Sequence, residues 1–179
     1  MTVDLALNNV FFTSDEHFYH EAMITKHNRN FPDIHNMNQY IIDSWNLVVT
    51  NKDDVFVLGD FSFGNRKQNE QIFSKLNGRK HLIIGNHDDN RVKKLSWTSV
   101  DKWTTLKVLD HERGIVQKIF LCHFPVLSAP VYEFGWVLHG HAHGDLTPSK
   151  TVHKMKDVGV DTNNYLPYSY LNIKEIFKP

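Results

Sequence analysis

Three short, unbroken apolar runs constrain this chain more than anything else in it: V-F-F-T-S at 10–14, V-F-V-L at 55–58 and H-L-I-I at 81–84. Each is shorter than a buried helix and lacks the alternation of a strand with one wet face, so each reads as a strand covered on both sides. Each also stops abruptly at polar residues: Asp15-Glu16-His17, Gly59-Asp60 and Gly85-Asn86-His87-Asp88. Helical periodicity fills the intervals. Met37, Ile41, Ile42, Trp45, Val48 and Val49 share one stripe, with Asn36 and Gln39 placed as N-cap and N3 partner. Ile72, Phe73 and Leu76 mark a second helix that ends near Asn77-Gly78. The order β-α-β-α-β predicts parallel strands joined by right-handed crossovers.

The second half reads differently. Residues 106–109 and 115–121 have the pattern of a hairpin around 110–114, and 135–139 and 157–161 read as further strands. An α/β first half with a β-rich second half predicts an α/β (α+β) fold of two packed sheets with helices outside. No repeat, low-complexity tract or linker divides the 179 residues, so one domain is expected over 1–179. Twenty basic residues against twenty acidic ones leave no excess field for coating nucleic acid or a membrane. No apolar run approaches the roughly 18 residues of a transmembrane helix. Residues 1–12 lack a signal-peptide pattern, and a cytoplasmic location is the expectation. The lone Cys122 has no internal disulfide partner and reads as a small core residue. The 12 histidines ask for an explanation, and imidazole is the commonest protein metal ligand.

Two further polar clusters, Cys122-His123 and Gly140-His141-Ala142-His143, also follow strand-like runs. A single D-x-H or G-D is commonplace, and Gly-Asp is ordinarily a turn. Five such clusters in order, each just past a strand, are not commonplace. The crevice beyond strand carboxyl ends is where open α/β sheets bind ligands, so oxygen and imidazole donors from five segments should converge there. In an extended segment residues i and i+2 face the same way, which would make pincers of Asp15 with His17 and of His141 with His143.

The ordered set D-x-H, G-D, G-N-H-D, H, G-H-x-H resembles the calcineurin-like metallophosphoesterase superfamily over Asp15 to His143. S-D-E-H-F-Y-H at 14–20, N-R-x-F at 28–31 and D-V-G-V-D-T-N-N-Y at 157–165 resemble a subgroup of small bacterial and phage phosphoesterases. The resemblance implies a four-layer fold, two mixed β-sheets packed as a sandwich flanked by helices. It implies one divalent metal held by Asp15, His17, Asp60 and His143, and a second held by Asp60, Asn86, His123 and His141. Asp60 would bridge the two. His87 would not be a ligand but the proton donor to the leaving group, with Asp88 as its orienting partner. Two cations about 3.5–4 Å apart can share a hydroxide, lower its pKa and clamp phosphate oxygens for in-line displacement. The oxygen and nitrogen donors suit Mn²⁺, Fe²⁺, Co²⁺, Ni²⁺ or Zn²⁺, with Mn²⁺ favoured.

Around this core, His20 stands beside the pocket as a candidate phosphate contact. Arg29 is a candidate clamp, since guanidinium binds phosphate bidentately. His139 reads as packed structure, and His27, His35, His81, His111 and His153 as surface residues. Asp161, Asn163 and Asn164 read as an Asx turn, with a place in the pocket floor as the alternative. Arg91, Lys93 and Lys94 ahead of Trp97 read as a solvated helix face rather than a single-strand binder. The expected substrate is a phosphodiester of nucleotide or RNA/DNA-terminus type. Phosphomonoesters and nucleotide pyrophosphates are the alternatives on the same metals, and a non-catalytic scaffold or a metal-storage protein is a weaker rival. No membrane and no obligate protein partner is expected.

Overall fold

The computed structural model describes residues 1–6, 9–27, 29–126, 135–146 and 154–178. Two mixed sheets of five strands each form its centre. The first contains β1 (Thr2–Asp4), β6 (Trp103–Asp110), β7 (Ile115–Cys122), β8 (Trp136–His139) and β9 (Met155–Asp157), in the order β1-β6-β7-β8-β9. The second contains β2 (Val10–Thr13), β3 (Asp54–Val57), β4 (Arg79–Ile83), β5 (Ser99–Asp101) and β10 (Tyr168–Ser169), in the order β10-β2-β3-β4-β5. Strands β2 to β5 are parallel, as the β-α-β-α-β reading requires, and β10 closes one edge antiparallel to β2. In the first sheet only β6 and β7 pair antiparallel.

The apolar runs are unbroken because both faces of β2 and β3 are covered. Val10, Phe12, Phe56 and Leu58 point between the sheets, where they meet Leu106, Val108, Ile119, Leu121 and Leu138. Phe11, Val55 and Val57 point the other way, onto α1 (Ala22–Lys26), α2 (Ile34–Val48), α3 (Arg66–Lys75) and α4 (Asn90–Lys93), through Met23, Ile41, Trp45, Ile72, Phe73 and Val92. A fifth helix, α5 (Tyr170–Ile176), joins the inter-sheet core, where the Tyr170 ring stacks 5.4 Å from that of Trp136. Two mixed sheets flanked by helices are thus present, as the sequence leads one to expect. None of their helices is long and apolar enough to cross a membrane.

Three sequence expectations shift. The cap of α2 is Asp33, not Asn36: the Asp33 carboxylate accepts from the His35 and Asn36 amides at 2.8 Å, which starts the helix three residues earlier. The hairpin strands run to Trp103 and Cys122, so its ladder covers eight residue pairs. The expected strand at 157–161 ends at Asp157. The chain bridges from Gly159 to Ser14 and turns into one 3-10 turn, Val160–Thr162.

Candidate metal centre

The polar clusters leave the carboxyl ends of β2, β3, β4, β7 and β8, so donors from both sheets meet at one end of the sandwich. The loops are tied to each other before any side chain is considered. The amides of Asp15 and His17 donate to the carbonyls of Gly59 and Asp60 at 3.0 Å, and the Gly140 amide donates to the His123 carbonyl at 3.0 Å. Five candidate donors adopt left-handed backbone: Asp15 (φ 58), His17 (φ 50), Asp60 (φ 57), His141 (φ 68) and His143 (φ 47). The expected pincer of extended i, i+2 residues is therefore wrong in its reason. The donors converge through a conformation that costs roughly 1–3 kcal/mol per residue and persists only where its surroundings enforce it. Glycines make the close approach. Gly59 has φ 91, and a Cβ there would sit 2.6 Å from both the Gly85 Cα and the His123 Nδ1. A Cβ on Gly140 would collide with Ser14 Oγ and Asp15 Oδ2.

Two groups of donor atoms result, each within 4.8 Å: Asp15, His17 and His143, and Asp60, His123 and His141. In both carboxylates one oxygen is occupied by an amide of another loop and the other is left open. Asp15 Oδ2 accepts from the His141 amide at 2.9 Å, and Oδ1 has no partner. Asp60 Oδ1 accepts from the His87 amide at 2.9 Å. Asp60 Oδ2 lies 3.7 Å from His17 Nε2 in one group and 3.6 Å from His123 Nε2 in the other. One oxygen thus faces both groups. Asn86, exposed at the rim, brings Oδ1 to 2.9 Å from His123 Nε2.

The imidazoles are held as ligands need to be. His123 Nδ1 lies 2.6 Å from the Leu58 carbonyl, which can only accept, so Nδ1 carries a proton and the ring is oriented with Nε2 toward Asn86 Oδ1. His143 Nδ1 meets Asp161 Oδ2 at 2.7 Å, leaving Nε2 toward Asp15. Burial, helped by the charges of Arg29 and neighbouring histidines, pushes the His17 pKa far down, so its ring is neutral and its buried Nε2 is without a partner. Burial pushes the Asp15 carboxyl up to about 6 although His143 and His123 oppose it. Burial alone would lower His143, but the Asp161 bond and the Asp15 and Asp161 charges outweigh it and raise the pKa. A buried carboxylate oxygen and a buried imidazole nitrogen, both orphaned and in one group, are the groups a cation would satisfy. These residues fit a pair of divalent ions held by oxygen and nitrogen donors.

Other assignments change. Arg29 is 1% exposed and is no substrate clamp. Its guanidinium forks onto both Asp161 oxygens at 2.8 Å and donates to the Glu16 carbonyl at 2.8 Å and the Asp15 carbonyl at 2.6 Å. Arg29, Asp161 and His143 form one chain that orients a donor, and Asp161 is more than a turn residue. Sequence alone offered only the late D-V-G-V-D segment as a hint of it. Asp88 is not the orienting partner of His87. Its two oxygens accept the amides of Asp60, Phe61 and Gly85 at 3.0, 3.0 and 2.8 Å, which holds the Asp60 turn against the Asn86 loop.

His87 itself is exposed, its ring 5.8 Å from that of His17 and 5.0 Å from Phe63. His20 contacts His17, Nδ1 to Nδ1 at 3.3 Å, and stacks on Phe63 at 3.8 Å. His27, read as surface, lies with its ring 4.0 Å from His143 at the rim. His81 is buried between Ser99 and Asp54 rather than exposed, whereas His35 and His111 are exposed as expected. His139 is buried and bonded to the Gly140 carbonyl. Trp97, half-buried, packs on Phe61 and Phe73 and donates to the Val92 carbonyl, so it lies against the core. Cys122 is a half-buried free thiol and no part of the centre. Glu16, fully buried beside the donors, accepts from the Thr13 hydroxyl, and burial pushes it up to about 8. His153 and Asn28 lie outside the described residues.

No family model matches the chain. An uncharacterized protein of Methanocaldococcus jannaschii, MJ1445, is 30% identical over 92% of this chain and 89% of its own length. The gene 66 protein of Mycobacterium phage D29 is 31% identical over 87% of this chain and 89% of its own. Among solved structures, the protein of unknown function AQ665 from Aquifex aeolicus superposes with a TM-score of 0.76 at 24% identity, covering 94% of this chain and 99% of that one. It shares the fold.

Proposed function

This chain belongs to the family that includes the archaeal protein MJ1445 and the phage D29 gene 66 protein, and we propose that it is a binuclear metal-dependent phosphoesterase of the calcineurin-like kind, acting on phosphodiesters of nucleotide or RNA-end type. The observation that carries this reading is the single Asp60 oxygen lying 3.7 and 3.6 Å from imidazole nitrogens of two separate donor groups. A storage site has no need of a shared carboxylate between two ions. Asp15, His17, Asp60 and His143 would hold one divalent ion, and Asp60, Asn86, His123 and His141 the other. Manganese is the favoured assay metal. Bound there, the two ions supply a nucleophile from water at neutral pH and charge against the phosphoryl oxygens.

The chain's own residues do the rest. Asp88 fixes the Asp60 turn, and Arg29 with Asp161 fixes the His143 ring. His87 is held at its backbone by Asp60 while its ring stays exposed beside the His17 group, the place for a proton donor. Water gives up one proton to solvent and its oxygen adds to phosphorus as the bond from phosphorus to the departing alcohol breaks, while the protonated His87 ring delivers its proton to that departing oxygen and is reprotonated from solvent. Exposure of Asn86, His87 and His141 leaves the rim open to an extended diester, which favours diesters over the monoester and pyrophosphate alternatives.

Hydrolysis of bis(p-nitrophenyl) phosphate and p-nitrophenyl phosphate, with Mn²⁺ and after EDTA, tests the reading. The expected outcome is metal-dependent cleavage with the diester preferred. Preference for the monoester would replace the diesterase with a phosphatase, and cleavage indifferent to chelator would overturn the mechanism. His87→Ala should keep wild-type metal content and slow esters with poor leaving groups most, by about 10²–10⁴-fold. Equal losses for good and poor leaving groups would remove His87 from the proton-donor role.

A further inference from the structure

Phe124 is 46% exposed although the residue before it, His123, is fully buried. Its ring lies 4.9 Å from that of His123 and 4.8 Å from that of His141, inclined at 73° and 65°. Both neighbours are donors of the Asp60 group. No ring among the described residues lies parallel to Phe124. An aromatic side chain is therefore open to solvent at the lip of one donor group. The other end of the centre is built differently. There Phe63 is already stacked on His20 at 3.8 Å, with His87 alongside at 5.0 Å. The proton donor and the open aromatic ring flank opposite donor groups, joined through Asp60.

That asymmetry gives a phosphodiester a direction. The departing alcohol belongs at the His87 end, because its oxygen takes the proton. The ester arm that stays on phosphorus then points toward Phe124. A flat, weakly polar group on that arm gains stacking that an alkyl group does not, and every nucleobase offers such a face. We infer that Phe124 is the stacking platform for the nucleobase of the retained arm, so that the substrate is a nucleoside phosphodiester cleaved on the side away from that nucleoside. This rests on the phosphoesterase reading.

The test compares thymidine 5′-(p-nitrophenyl) phosphate with methyl p-nitrophenyl phosphate, two diesters with one leaving group and different retained arms. Phe124→Leu keeps bulk against His123 and His141 but removes the π-face, and Phe124→Tyr keeps the face. The readout is the ratio of kcat/KM for the two esters, so a general disturbance of the donors cancels. Wild type should prefer the thymidine ester. Phe124→Leu should lower the ratio about 5- to 100-fold, and Phe124→Tyr should restore it. A ratio unchanged in Phe124→Leu overturns the inference.

If wild type with Mn²⁺ cleaves neither ester, the phosphoesterase reading falls, and calorimetry of the Mn²⁺-loaded protein decides the platform separately. Thymidine 5′-monophosphate binding at least about fivefold tighter than inorganic phosphate in wild type, and not in Phe124→Leu, supports it. Equal affinities for the two ligands in wild type overturn it.

Discussion

At 1% exposure the Arg29 guanidinium has no path to a phosphate in solution, and its hydrogen bonds show what it does instead. It neutralises Asp161, which orients His143, and it ties down the carbonyls of Asp15 and Glu16. Partners of this kind around metal-binding histidines typically change metal affinity 10–100-fold when removed. Asp161→Asn should therefore weaken the first of two Mn²⁺ ions by about that factor in calorimetric titration, with the second little changed. Equal weakening of both ions would show a general loss of structure. Arg29→Ala should cost about 1–3 kcal/mol in urea unfolding, because it leaves the buried Asp15 and Glu16 carbonyls without that donor and removes one partner of the half-buried Asp161.

A buried carboxylate also lies away from the centre, where Asp54 accepts from the exposed Arg79 at 2.9 and 2.6 Å and meets the buried His81 at 3.2 Å. Burial by itself raises the Asp54 pKa, but the His81 and Arg79 bonds outweigh it, so the folded value is below the usual one. The unfolded chain then binds the proton more tightly. The stability Asp54 contributes is present above its unfolded pKa of about 3.9 and is lost as pH falls through the lower folded value. Asp54→Asn should be about 1.5–3 kcal/mol less stable than wild type at neutral pH, with the gap closing in acid. A gap independent of pH would remove the ionised form from the account.

At the scale of elements, the strands are ordinary and the turns after them are not. Beyond β2, β3 and β8 the chain enters left-handed backbone at donor residues, and small residues make room for neighbouring loops. Gly59 is the most restrictive, since its φ of 91 and its 2.6 Å approach to Gly85 Cα leave no space for a methyl group. Gly59→Ala should lose about 1–3 kcal/mol from backbone strain alone and reduce bound Mn²⁺ by displacing His123. Urea unfolding together with metal analysis checks both. Wild-type metal content in a destabilised variant would separate the turn from the donors.

For the molecule as a whole, the centre draws donors from both sheets, so anything that binds there holds the sandwich together at one end. Asp15 Oδ1 and His17 Nε2 are buried without partners, a desolvation cost that a cation removes. Mn²⁺ should therefore raise the melting temperature in a concentration-dependent way, by the equivalent of about 2.7 kcal/mol at one hundred times its Kd. EDTA should reverse the shift. A melting temperature indifferent to both would mean that the donors bind no metal in the folded state.

The strands, their parallel order and the donor types were legible in the chain itself, because double-sided burial leaves an unbroken apolar run and each run ends at a polar cluster. Nearest-neighbour patterns carry that much, since burial and periodicity act within one element. What the chain does not display is which partner a polar side chain finds across it. Arg29 meets Asp161 over a separation of 132 residues, and Asp88 reaches back 28 residues to the Asp60 amide. Such contacts depend on the placement of whole elements. The left-handed turns were equally hidden, because at a non-glycine residue only the surrounding fold makes that conformation affordable. Residue types and strand ends were therefore set locally. The orientation of the donors, the burial of Arg29 and His81 and the open ring of Phe124 were decided by how the two sheets pack.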